Sequence, residues 1–585
     1  MGGLRRVLPS VLGWGAVLAL ILALSWSQLH GENLALYLDF LVASGLAKYS
    51  FARRSLSLAA FKKHEFTAFC MLNWDVDAKR HAGETLVLFE DKSYTYQQID
   101  EHVQSLAAEL QQRYAVQPGD VVASALDLRP EGLVVLLACH LLGAIHAPVS
   151  PFLVEAQVPG MKEVLGDIAV MIVGRTGTAE GLWRVVVNNV FAYDLGRGAP
   201  AVGSGRVAPY QWRMQETVAL MPTSGTGGSP KFVMTPRRSQ VFFDQWQCKK
   251  SRFFMNGGWQ EHSMMWSIFK RLPCGSTFIL TLEHCRKVNS PEAARKWANL
   301  INKHAVDSFQ LYAHVTQSFA SIDIVMPTVK MVSVSGRAPN KLAARQASAL
   351  WPNATWAHGY GMTEFMQHGG IMNTWPAGKG PPNDRFFDSV GYGLNGSLQN
   401  IKLIPIEDSA EEFDQQNVHE LRFRLPYGAF SGYWRNPQLT SEAIDKDGYI
   451  ITKDLAYVKN GFFYLVGRKD DAIKHYTMGR QLFPHLIEEV IQQHPHVSAV
   501  SVVAKRDASS ADHLVACVVT DANISATALA VFSRDHGLAH WQIPAAFHFM
   551  ESLPVTHMGW KVSRGSLKKI VAELPWSSLS APGST

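Results

Sequence analysis

The sequence has few cysteines, and it lacks the long runs of positive charge that are typical of nucleic-acid-binding chains. Its 6 cysteines are spread over 585 residues, and no two of them form a Cys-x-x-Cys pair. This spacing argues against a disulfide scaffold or a structural zinc site, and it fits a reducing compartment. The formal net charge is +6 without a long basic stretch, so we expect no nucleic-acid partner.

Several motifs of other enzyme classes are missing as well. There is no Gly-x-Ser-x-Gly nucleophile elbow and no His-Glu-x-x-His metal motif. The stretch "GYGLNG" (391–396) fits the Gly-x-Gly-x-x-Gly pattern of dinucleotide-binding folds. The residues after it alternate like a strand instead of opening a helix, so we expect no dinucleotide site there.

A long uncharged stretch is present at the N-terminus. Residues 7–29 carry no charged side chain, and 11–24 ("VLGWGAVLALILAL") are almost wholly apolar. About 20 residues of helix cross the hydrocarbon layer of a bilayer. We therefore predict an N-terminal hydrophobic helix (1–30) that anchors the chain in a membrane. The alternative is a cleaved signal peptide, because small residues occur at 23–27.

The sequence leaves the orientation of this anchor open. Arg5 and Arg6 favour a cytosolic N-terminus, which for one span would place the rest of the chain across the membrane. A second apolar run (34–46) lies in an apolar and basic connector (31–66), and as a hairpin or interfacial helix it would return the chain to the cytosol. We expect a single-pass or hairpin anchor with the globular part in the cytosol, in a membrane that the sequence does not identify.

The globular part of the chain reads as alternating strands and helices. Ile99, Val103, Leu106 and Leu110 fall on one face of a helix, and apolar runs on either side of it read as strands. This alternation predicts an α/β fold with parallel-rich sheets in the large domain. We divide the chain into a membrane anchor, a connector, a large domain, a small α+β domain and a flexible tail, at 1–30, 31–66, 67–467, 468–574 and 575–585.

The stretch "PTSGTGGSPK" (222–231) is rich in groups that can bind phosphate. It follows an apolar run that reads as a strand, and its hydroxyls and flexible glycine backbone offer many donors to phosphate oxygens. Lys231 adds a positive charge. The stretch lacks the Gly-Lys-Ser/Thr ending of a Walker loop, so a different nucleotide chemistry is expected. A plain Gly/Ser surface turn is the alternative.

The stretch "HGYGMTEF" (358–365) combines three groups that suit a nucleotide site. Glu364 offers a hard carboxylate for Mg²⁺, Thr363 a hydroxyl for a phosphate, and Tyr360 a flat face for a purine. We expect Glu364 to lie at an exposed cleft. Taken alone, the stretch would be better interpreted as a glycine-rich turn before a helix.

Two later stretches add further polar groups. In 448–474, Asp454 can accept hydrogen bonds from a ribose diol, and Arg468 can contact ribose or phosphate. In 553–570, Lys561 lies in a basic stretch, for which a solvated basic helix is the alternative.

Together and in this order, these stretches resemble the adenylate-forming superfamily, which includes acyl-CoA synthetases, luciferases and the adenylation domains of peptide synthetases. "GYGMTE" matches the family motif fully, "SGRAP" (335–339) looks like its adenine-side turn, and 419–440 resembles its Gly-Glu-Leu…Gly-Tyr…Asn-Pro-x-x-Thr segment. The chain looks most like a membrane-anchored acyl-CoA synthetase, over about residues 67 to 571. The positions that match the family's signature loop are Thr223, Ser224, Gly225, Thr226, Gly228, Pro230 and Lys231.

The resemblance implies a reaction in two steps, in which a carboxylic acid and ATP give an acyl-adenylate that then forms a thioester with coenzyme A. ATP, Mg²⁺ and coenzyme A are the implied cofactors. Lys561, Thr363 and Glu364 carry the implied catalytic roles, with Glu364 as the Mg²⁺ ligand, and Asp470 is the implied hinge of a mobile C-terminal domain. The residues implied to bind ATP are Thr223, Ser224, Gly225, Thr226, Gly228, Lys231, Gly336, Ala338, Pro339, Tyr360, Gly361, Asp454 and Arg468.

The membrane anchor favours a fatty or other apolar acid, since such acids partition into the bilayer. No carrier-protein domain is recognised, so free coenzyme A is the expected acceptor. Alternatives are a ligase for aromatic acids, an adenylating enzyme with another acceptor, and a non-catalytic membrane homologue that binds acyl ligand or nucleotide. Trp259 and His262 lie near the family's carboxylate-side position, but "GGWQEHSMMW" matches that motif poorly, and a packing role fits both equally well.

Some positions depart from the family pattern. Gly227 stands where threonine is usual, and Phe232 and Lys453 stand where glycine is usual. Either one extra residue precedes Lys561, or Trp560 replaces the glycine before it. None of these changes removes a group central to adenylation, but they can alter the rate.

Overall fold

The computed structural model describes most of the chain from Asn73 onward. The predicted membrane anchor (1–30) and connector (31–66) lie outside the described residues. Among the residues that the structure describes, no helix combines the length and the apolar character needed to cross a bilayer. The described residues are 73–153, 155–174, 179–195, 206–213, 215–223, 231–237, 239, 249–283, 285, 288, 290–312, 315–335, 341–365, 371–379, 382–393, 400–406, 417–424, 430–474, 481–556 and 562–583.

Helices and strands alternate along the described part of the chain. The helices are α1 Trp74–Arg80, α2 Tyr96–Tyr114, α3 Pro130–Leu142, α4 Val158–Leu165, α5 Ala179–Arg184, α6 His262–Arg271, α7 Pro291–Lys303, α8 Thr316–Ala320, α9 Lys341–Ser348, α10 Asp384–Asp388, α11 Pro437–Glu442, α12 Pro484–Ile491, α13 Ala526–Asp535 and α14 Arg564–Glu573. The strands are β1 Thr85–Phe89, β2 Lys92–Thr95, β3 Val121–Ala125, β4 Ile145–Pro148, β5 Val170–Gly174, β6 Val190–Tyr193, β7 Thr217–Thr223, β8 Lys231–Pro236, β9 Arg252–Phe254, β10 Thr277–Leu280, β11 Ser308–Tyr312, β12 Met331–Ser335, β13 Thr355–Gly359, β14 Ile371–Trp375, β15 Gly391–Gly393, β16 Ile401–Pro405, β17 His419–Phe423, β18 Ile450–Lys459, β19 Phe462–Arg468, β20 Ile473–Lys474, β21 Gln481–Leu482, β22 Val497–Arg506, β23 Asp512–Thr520 and β24 Ala546–Phe549.

Two sheets form the large N-terminal part. One has six strands in the order β6-β5-β3-β4-β7-β8, and its pairs are parallel except β7–β8. The other has thirteen strands in the order β16-β17-β18-β19-β15-β14-β13-β12-β11-β9-β10-β1-β2. Its central run from β13 to β1 is parallel, and the strands outside that run pair antiparallel. The predicted α/β fold is confirmed. Parallel pairs predominate in the six-stranded sheet, but in the thirteen-stranded sheet they are confined to the central run, so the expectation of parallel-rich sheets holds only in part.

The helix between β2 and β3 follows its predicted pattern. α2 begins with a capping box, in which Thr95 accepts a hydrogen bond from the backbone N–H of Gln98 and the Gln98 side chain accepts one from the N–H of Thr95. Every residue of α3 is buried, and it packs with α2 in one core cluster that takes side chains from both sheets. The four predicted residues of the apolar face of α2 are all 0% exposed: Ile99, Val103, Leu106 and Leu110.

The C-terminal part has its own sheet, in the order β22-β23-β24. Residues of α12 and α13 pack in the core cluster on one side of it, and residues of α14 pack in the cluster on the other side. This is the small domain that the sequence predicts. The predicted boundary between 467 and 468 falls at the last residue of β19, and the predicted domain limits stay predictions.

Of the "GYGLNG" stretch (391–396), the structure describes the first three residues. Its first three residues form β15, and the next regular element that the structure describes is another strand, β16. A helix after the glycines would be needed to bind a pyrophosphate.

Candidate active site

A cavity of about 870 Å³ is lined by residues of both the large and the small part of the chain. Every predicted site residue that the structure describes lines this cavity: Thr223, Lys231, Tyr360, Gly361, Thr363, Glu364, Asp454, Arg468 and Asp470. The other predicted site residues lie outside the described residues: Ser224, Gly225, Thr226, Gly228, Gly336, Ala338, Pro339 and Lys561. The individual roles that the resemblance implies stay predictions.

An antiparallel hairpin frames the predicted phosphate loop. β7 ends at Thr223 and β8 begins at Lys231, and these two residues pair directly across the hairpin. The ammonium group of Lys231 lies 5.5 Å from the centre of the Tyr433 ring, within the range of a cation–π contact. Phe232, where the family has glycine, is 0% exposed and packs in a core cluster, so this departure fills the interior rather than the cavity.

Tyr360 and Asp454, which both line the cavity, are joined by a hydrogen bond. The phenol of Tyr360 donates to Oδ2 of Asp454 at 2.5 Å, and its ring stacks on Phe423 with 5.4 Å between ring centres. Burial, and then the negative charge of Asp454, raise the pKa of Tyr360 well above its usual value. The phenol therefore keeps its proton and holds one carboxylate oxygen of Asp454 in place.

Glu364 is 7% exposed, so the expectation that it lies at an exposed cleft is wrong. The phenol of Tyr433 donates a hydrogen bond of 2.7 Å to its Oε1 and covers it. Burial raises the pKa of Glu364, and the hydrogen bond from Tyr433 opposes that rise. A carboxylate in this position is strongly stabilised by a nearby cation, because little water is present to screen the attraction between the two charges.

The surroundings of Glu364 fit a magnesium ion that is bound together with phosphates. Among the described residues, no three or more His, Cys, Asp or Glu side chains come together to form a metal cage. Magnesium is commonly held by one or two carboxylates and the phosphates of a substrate. Glu364 lines the same cavity as Thr223 and Lys231, which end the strands beside the predicted phosphate loop, so one carboxylate faces the space where phosphates are expected.

The two residues predicted to contact ribose lie opposite each other on β18 and β19. Asp454 and Arg468 are register partners, and Nε of Arg468 lies 3.8 Å from Oδ1 of Asp454. Arg468 also donates a hydrogen bond of 3.3 Å to the backbone oxygen of Thr452. A carboxylate acceptor and a guanidinium donor are therefore presented side by side to the cavity.

Lys453 adopts a backbone conformation that normally favours glycine. Its φ is +62°, and the family has glycine at this position. The side chain of Lys453 donates a hydrogen bond of 2.9 Å to Oδ2 of Asp470, the predicted hinge residue. The left-handed backbone was foreseeable from the family pattern, whereas the ion pair was not.

The structure separates the two residues whose roles the sequence left open. Trp259 is 4% exposed, its indole N–H donates to the backbone oxygen of Asp127 at 2.8 Å, and it is absent from the described lining of the cavity. Its role is packing. His262 lines the cavity, and its Nδ1 lies 2.8 Å from the backbone oxygen of Thr363.

The small domain contributes Val562 and Arg564 to the cavity wall. Arg564 donates hydrogen bonds of 2.7 Å to both carboxylate oxygens of Glu488, and its Nε lies 3.5 Å from Asp471. This buried pair ties α14 to α12. Val562, which is next to Lys561 in the sequence, pairs with Val555 in an antiparallel bridge.

The polar cavity residues that the sequence analysis missed include Gln260, Glu261, Tyr433 and Arg564. A signal existed for Tyr433, which is the tyrosine of the matched Gly-Tyr segment, although no role was given to it. The stretch with Gln260 and Glu261 matches its family motif poorly, and Arg564 reads as one more residue of a basic helix.

Comparison with known proteins identifies the family. The profile of the AMP-binding enzyme family matches residues 74–434, and that of the AMP-binding enzyme C-terminal domain matches residues 486–559. The chain belongs to the AMP-binding enzyme family. The second match lies in the small C-terminal domain.

The similar curated proteins differ in size and in substrate. The chain is 25% identical to malpinin synthetase of Mortierella alpina over 84% of its own length, but it spans only 6% of that protein. It is 25% identical to 4-coumarate–CoA ligase 3 of Oryza sativa subsp. japonica, over 83% of this chain and 88% of that protein. It is 32% identical to a long-chain-fatty-acid–CoA ligase of Salmonella typhimurium, over 36% of this chain and 35% of that protein.

Solved structures show the same fold. The O-succinylbenzoate coenzyme A synthetase of Bacillus subtilis, in complex with ATP and magnesium ion, superposes with a TM-score of 0.70. The match covers 85% of this chain and 99% of that chain at 20% sequence identity. The large and small parts therefore form an adenylate-forming fold.

Proposed function

We propose that the chain activates a carboxylic acid with ATP to an acyl-adenylate and then forms a thioester with coenzyme A. The observation that carries this proposal is the convergence on one cavity of the ends of the phosphate-loop hairpin, the 360–364 segment, the paired Asp454 and Arg468, and the small domain. Family membership and the substrates named for its relatives support it.

The first step joins two anions, and the cavity supplies positive charge for that purpose. A carboxylate oxygen attacks the α-phosphorus of ATP, the bond from that phosphorus to the bridging oxygen breaks, and pyrophosphate leaves. Lys231, with Thr363, lies where the phosphates are expected, and Lys561 is predicted to bridge the carboxylate and the α-phosphate. A magnesium ion held by Glu364 would neutralise charge on the phosphates.

The second step needs a thiol at the carbonyl carbon of the adenylate. The thiol sulfur bonds to that carbon, the thiol proton passes to solvent, and the bond between that carbon and the phosphate oxygen breaks as AMP leaves with the electron pair. In the proposed mechanism the small domain turns about Asp470 between the steps, and Lys561 is withdrawn. Tyr360 and Asp454 hold each other in place on the large part and would keep the ribose fixed through both steps.

The decisive experiment is pyrophosphate release from ATP across a panel of carboxylic acids, with and without coenzyme A. Acid-dependent release with formation of a thioester supports the proposal. Release that proceeds to another acceptor, such as the thiol of a carrier protein, would support the alternative acceptor. Binding of nucleotide or acid without any release would support a non-catalytic homologue.

The nature of the acyl substrate and the location of the protein in the cell are two further proposals. The fatty acid expected from the sequence and the aromatic acid of the alternative each have a named relative. We also propose that residues 1–30 anchor the chain in a membrane, with the catalytic part in the cytosol. Deletion of 1–30 should move the protein from the carbonate-resistant membrane pellet to the supernatant. A pellet that keeps the truncated protein would point to 34–46 instead.

A further inference from the structure

One wall of the cavity is polar although it is buried. It is formed by the stretch 257–263 of the chain, which contributes Gln260, Glu261 and His262, together with Tyr312 and Trp266. Only His262 of these residues was considered in the sequence analysis. The hydrogen bonds that this wall still lacks define the ligand that would suit it.

Gln260 brings an amide to the cavity without a protein partner. Its side chain is 1% exposed, and neither its oxygen nor its nitrogen hydrogen-bonds to any residue that the structure describes. A buried polar group without a partner destabilises the protein. A ligand that both donates and accepts a hydrogen bond would remove this destabilisation.

Two glycines allow this wall to form. A Cβ atom at Gly258 would lie 2.3 Å from Oε1 of Gln260, and a Cβ atom at Gly257 would lie 2.2 Å from the phenol oxygen of Tyr312. Any other residue at either position would push these polar groups away. Glycine at both positions therefore leaves room for the Gln260 amide and the Tyr312 phenol to occupy these places.

His262 offers a hydrogen-bond acceptor to the same space. Its Nδ1 lies 2.8 Å from the backbone oxygen of Thr363, and because a carbonyl oxygen only accepts, Nδ1 carries the proton. Burial lowers the pKa of His262 to about 4, so the ring is neutral at pH 7. Its Nε2 is then an acceptor, and it has no hydrogen-bond partner among the described residues.

Glu261 makes the wall unfavourable for a second anion. Its Oε2 accepts a hydrogen bond from the phenol of Tyr312, and its Oε1 accepts one of 3.2 Å from the backbone N–H of Gly258. It is 5% exposed, so its negative charge is poorly screened by water. The cationic residues among the described lining lie on other elements: Lys231, Lys453, Arg468 and Arg564.

We propose that Gln260 and His262 bind a hydroxyl group on the acyl part of the substrate, so that the acid that the chain activates is a hydroxylated acid. This inference rests on the proposed function. A hydroxyl can donate to Nε2 of His262 or Oε1 of Gln260 while it accepts from the amide nitrogen. A methylene group can do neither, and a second carboxylate only accepts and meets the charge of Glu261. An unsubstituted fatty acid would leave both polar groups unpaired.

The test compares acids that differ only by a hydroxyl group. Full-length protein is given ATP, Mg²⁺ and coenzyme A with cinnamate or its 2-, 3- or 4-hydroxy derivatives, and with octanoate or its 3-, 5- or 8-hydroxy derivatives. Pyrophosphate release gives kcat/KM for each acid. At least one hydroxylated acid should exceed its parent by about tenfold or more, since a site built to bind a hydroxyl rejects the analogue without it.

Gln260→Leu should lower the ratio of kcat/KM for the favoured hydroxylated acid to kcat/KM for its parent acid by about tenfold or more. Gln260→Met is the second variant if the first does not fold. The matched control is Thr235→Val, since the Thr235 hydroxyl is also buried without a hydrogen-bond partner among the described residues but is not part of the described lining. It should leave the ratio of hydroxylated to parent acid unchanged.

The outcomes separate this inference from the proposed function. If no acid releases pyrophosphate, the proposed function fails. If acids are activated and no hydroxylated acid exceeds its parent, the proposed function stands and the hydroxyl site is wrong. An equal loss for all acids in Gln260→Leu, as in a packing mutation, would also overturn the hydroxyl site.

Discussion

The ammonium group of Lys453 donates a hydrogen bond of 2.9 Å to Oδ2 of Asp470, and so connects the end of β18 that carries Asp454 to the predicted hinge. Both side chains are 51% exposed. An ion pair of this exposure is worth at most about 1 kcal/mol. The pair is therefore too weak to hold the small domain in one position, but it is strong enough to shift the equilibrium between two positions.

Replacement of Lys453 by methionine should show this bias. Lys453→Met keeps the length of the side chain and removes its charge. We expect thioester formation from a supplied acyl-adenylate to rise, by at most about fivefold, because a barrier change of about 1 kcal/mol corresponds to that factor. Adenylation should stay within twofold. Rapid-quench measurement of each half-reaction checks this, and a slower thioester step would contradict it.

The contact between Tyr433 and Glu364 predicts the effect of two conservative changes. Glu364→Gln keeps an oxygen that can accept from the Tyr433 phenol but loses the charge, so the fold should survive while Mg²⁺-dependent pyrophosphate release falls about a hundredfold or more. Tyr433→Phe keeps the charge and loses the hydrogen bond, so it should cost about 1–3 kcal/mol in urea unfolding and less activity. Wild-type rates in Glu364→Gln would show that the metal role is assigned to the wrong residue.

The fold and the motif positions could be predicted because both depend on local patterns. The apolar face of α2 follows from helical spacing, and the pairing of Thr223 with Lys231 follows from a turn between two strands. The burial of Glu364 could not be predicted in this way. Its cover, Tyr433, is 69 residues further along the chain, and only the tertiary fold brings the two together.

The orientation of individual side chains also could not be predicted from the sequence. A poorly matching motif left Trp259 and His262 equivalent, yet one fills the core and the other lines the cavity. The difference arises because the ring of His262 reaches the backbone oxygen of Thr363, on a segment about a hundred residues away.

The buried pair between Arg564 and Glu488 predicts a large loss of stability when one partner is removed. Arg564→Met leaves the Glu488 carboxylate, 5% exposed, without its counter-ion, which typically costs about 3–5 kcal/mol. The double variant Glu488→Gln/Arg564→Met should lose less than the sum of the single changes. Urea unfolding measures all three.

A surface pair in the same domain is the control for this experiment. Arg506 and Asp512 form an ion pair of 3.1 Å, with the arginine 76% exposed. Arg506→Met should therefore cost at most about 1 kcal/mol. Losses of similar size at the buried and the surface pair would show that Arg564 does not hold α14 to α12.

The burial of His146 should make the stability of the protein depend on pH. It is 1% exposed, its Nε2 lies 2.9 Å from Oγ of Ser124, and burial lowers its pKa to about 3. The folded pKa lies below the unfolded value of about 6.5, so between these values the unfolded state binds more protons and stability falls as the pH falls. From pH 7.5 to pH 5 the contribution of this residue to the free energy of unfolding should fall by about 2 kcal/mol. The fall occurs below the unfolded pKa of about 6.5, at about 1.4 kcal/mol per pH unit.

The variant His146→Gln isolates this contribution from other titrating groups. The stability difference between wild type and His146→Gln should shrink by about 2 kcal/mol between pH 7.5 and pH 5 in urea unfolding. A constant difference for His146→Gln would mean that the buried ring takes up a proton in the folded state.

The last prediction separates the two half-reactions. Lys561 belongs to the predicted small domain (468–574), whereas Lys231 and Glu364 are on the large part. Lys561→Ala removes a cation that is predicted to contact the charge developing around the α-phosphate, a kind of contact worth about 3 kcal/mol, or about a hundredfold in rate. Acyl-adenylate formation should fall by that factor or more. Transfer from a supplied acyl-adenylate to coenzyme A should be nearly unchanged, because the proposed mechanism withdraws the lysine before the thiol attacks.

Asp470→Pro should give the reverse pattern, because proline fixes φ at the predicted hinge and hinders the turn of the small domain. It also removes the partner of Lys453, so Lys453→Met, which loses the same ion pair without stiffening the backbone, is its matched control. Adenylation by Asp470→Pro should stay near the rate of that control, while transfer to coenzyme A falls well below it. Equal losses in both half-reactions for Lys561→Ala and Asp470→Pro would rule out a division of labour between two domain positions. Such a result would direct attention to Trp560, where the chain departs from the glycine of the family pattern beside the same lysine.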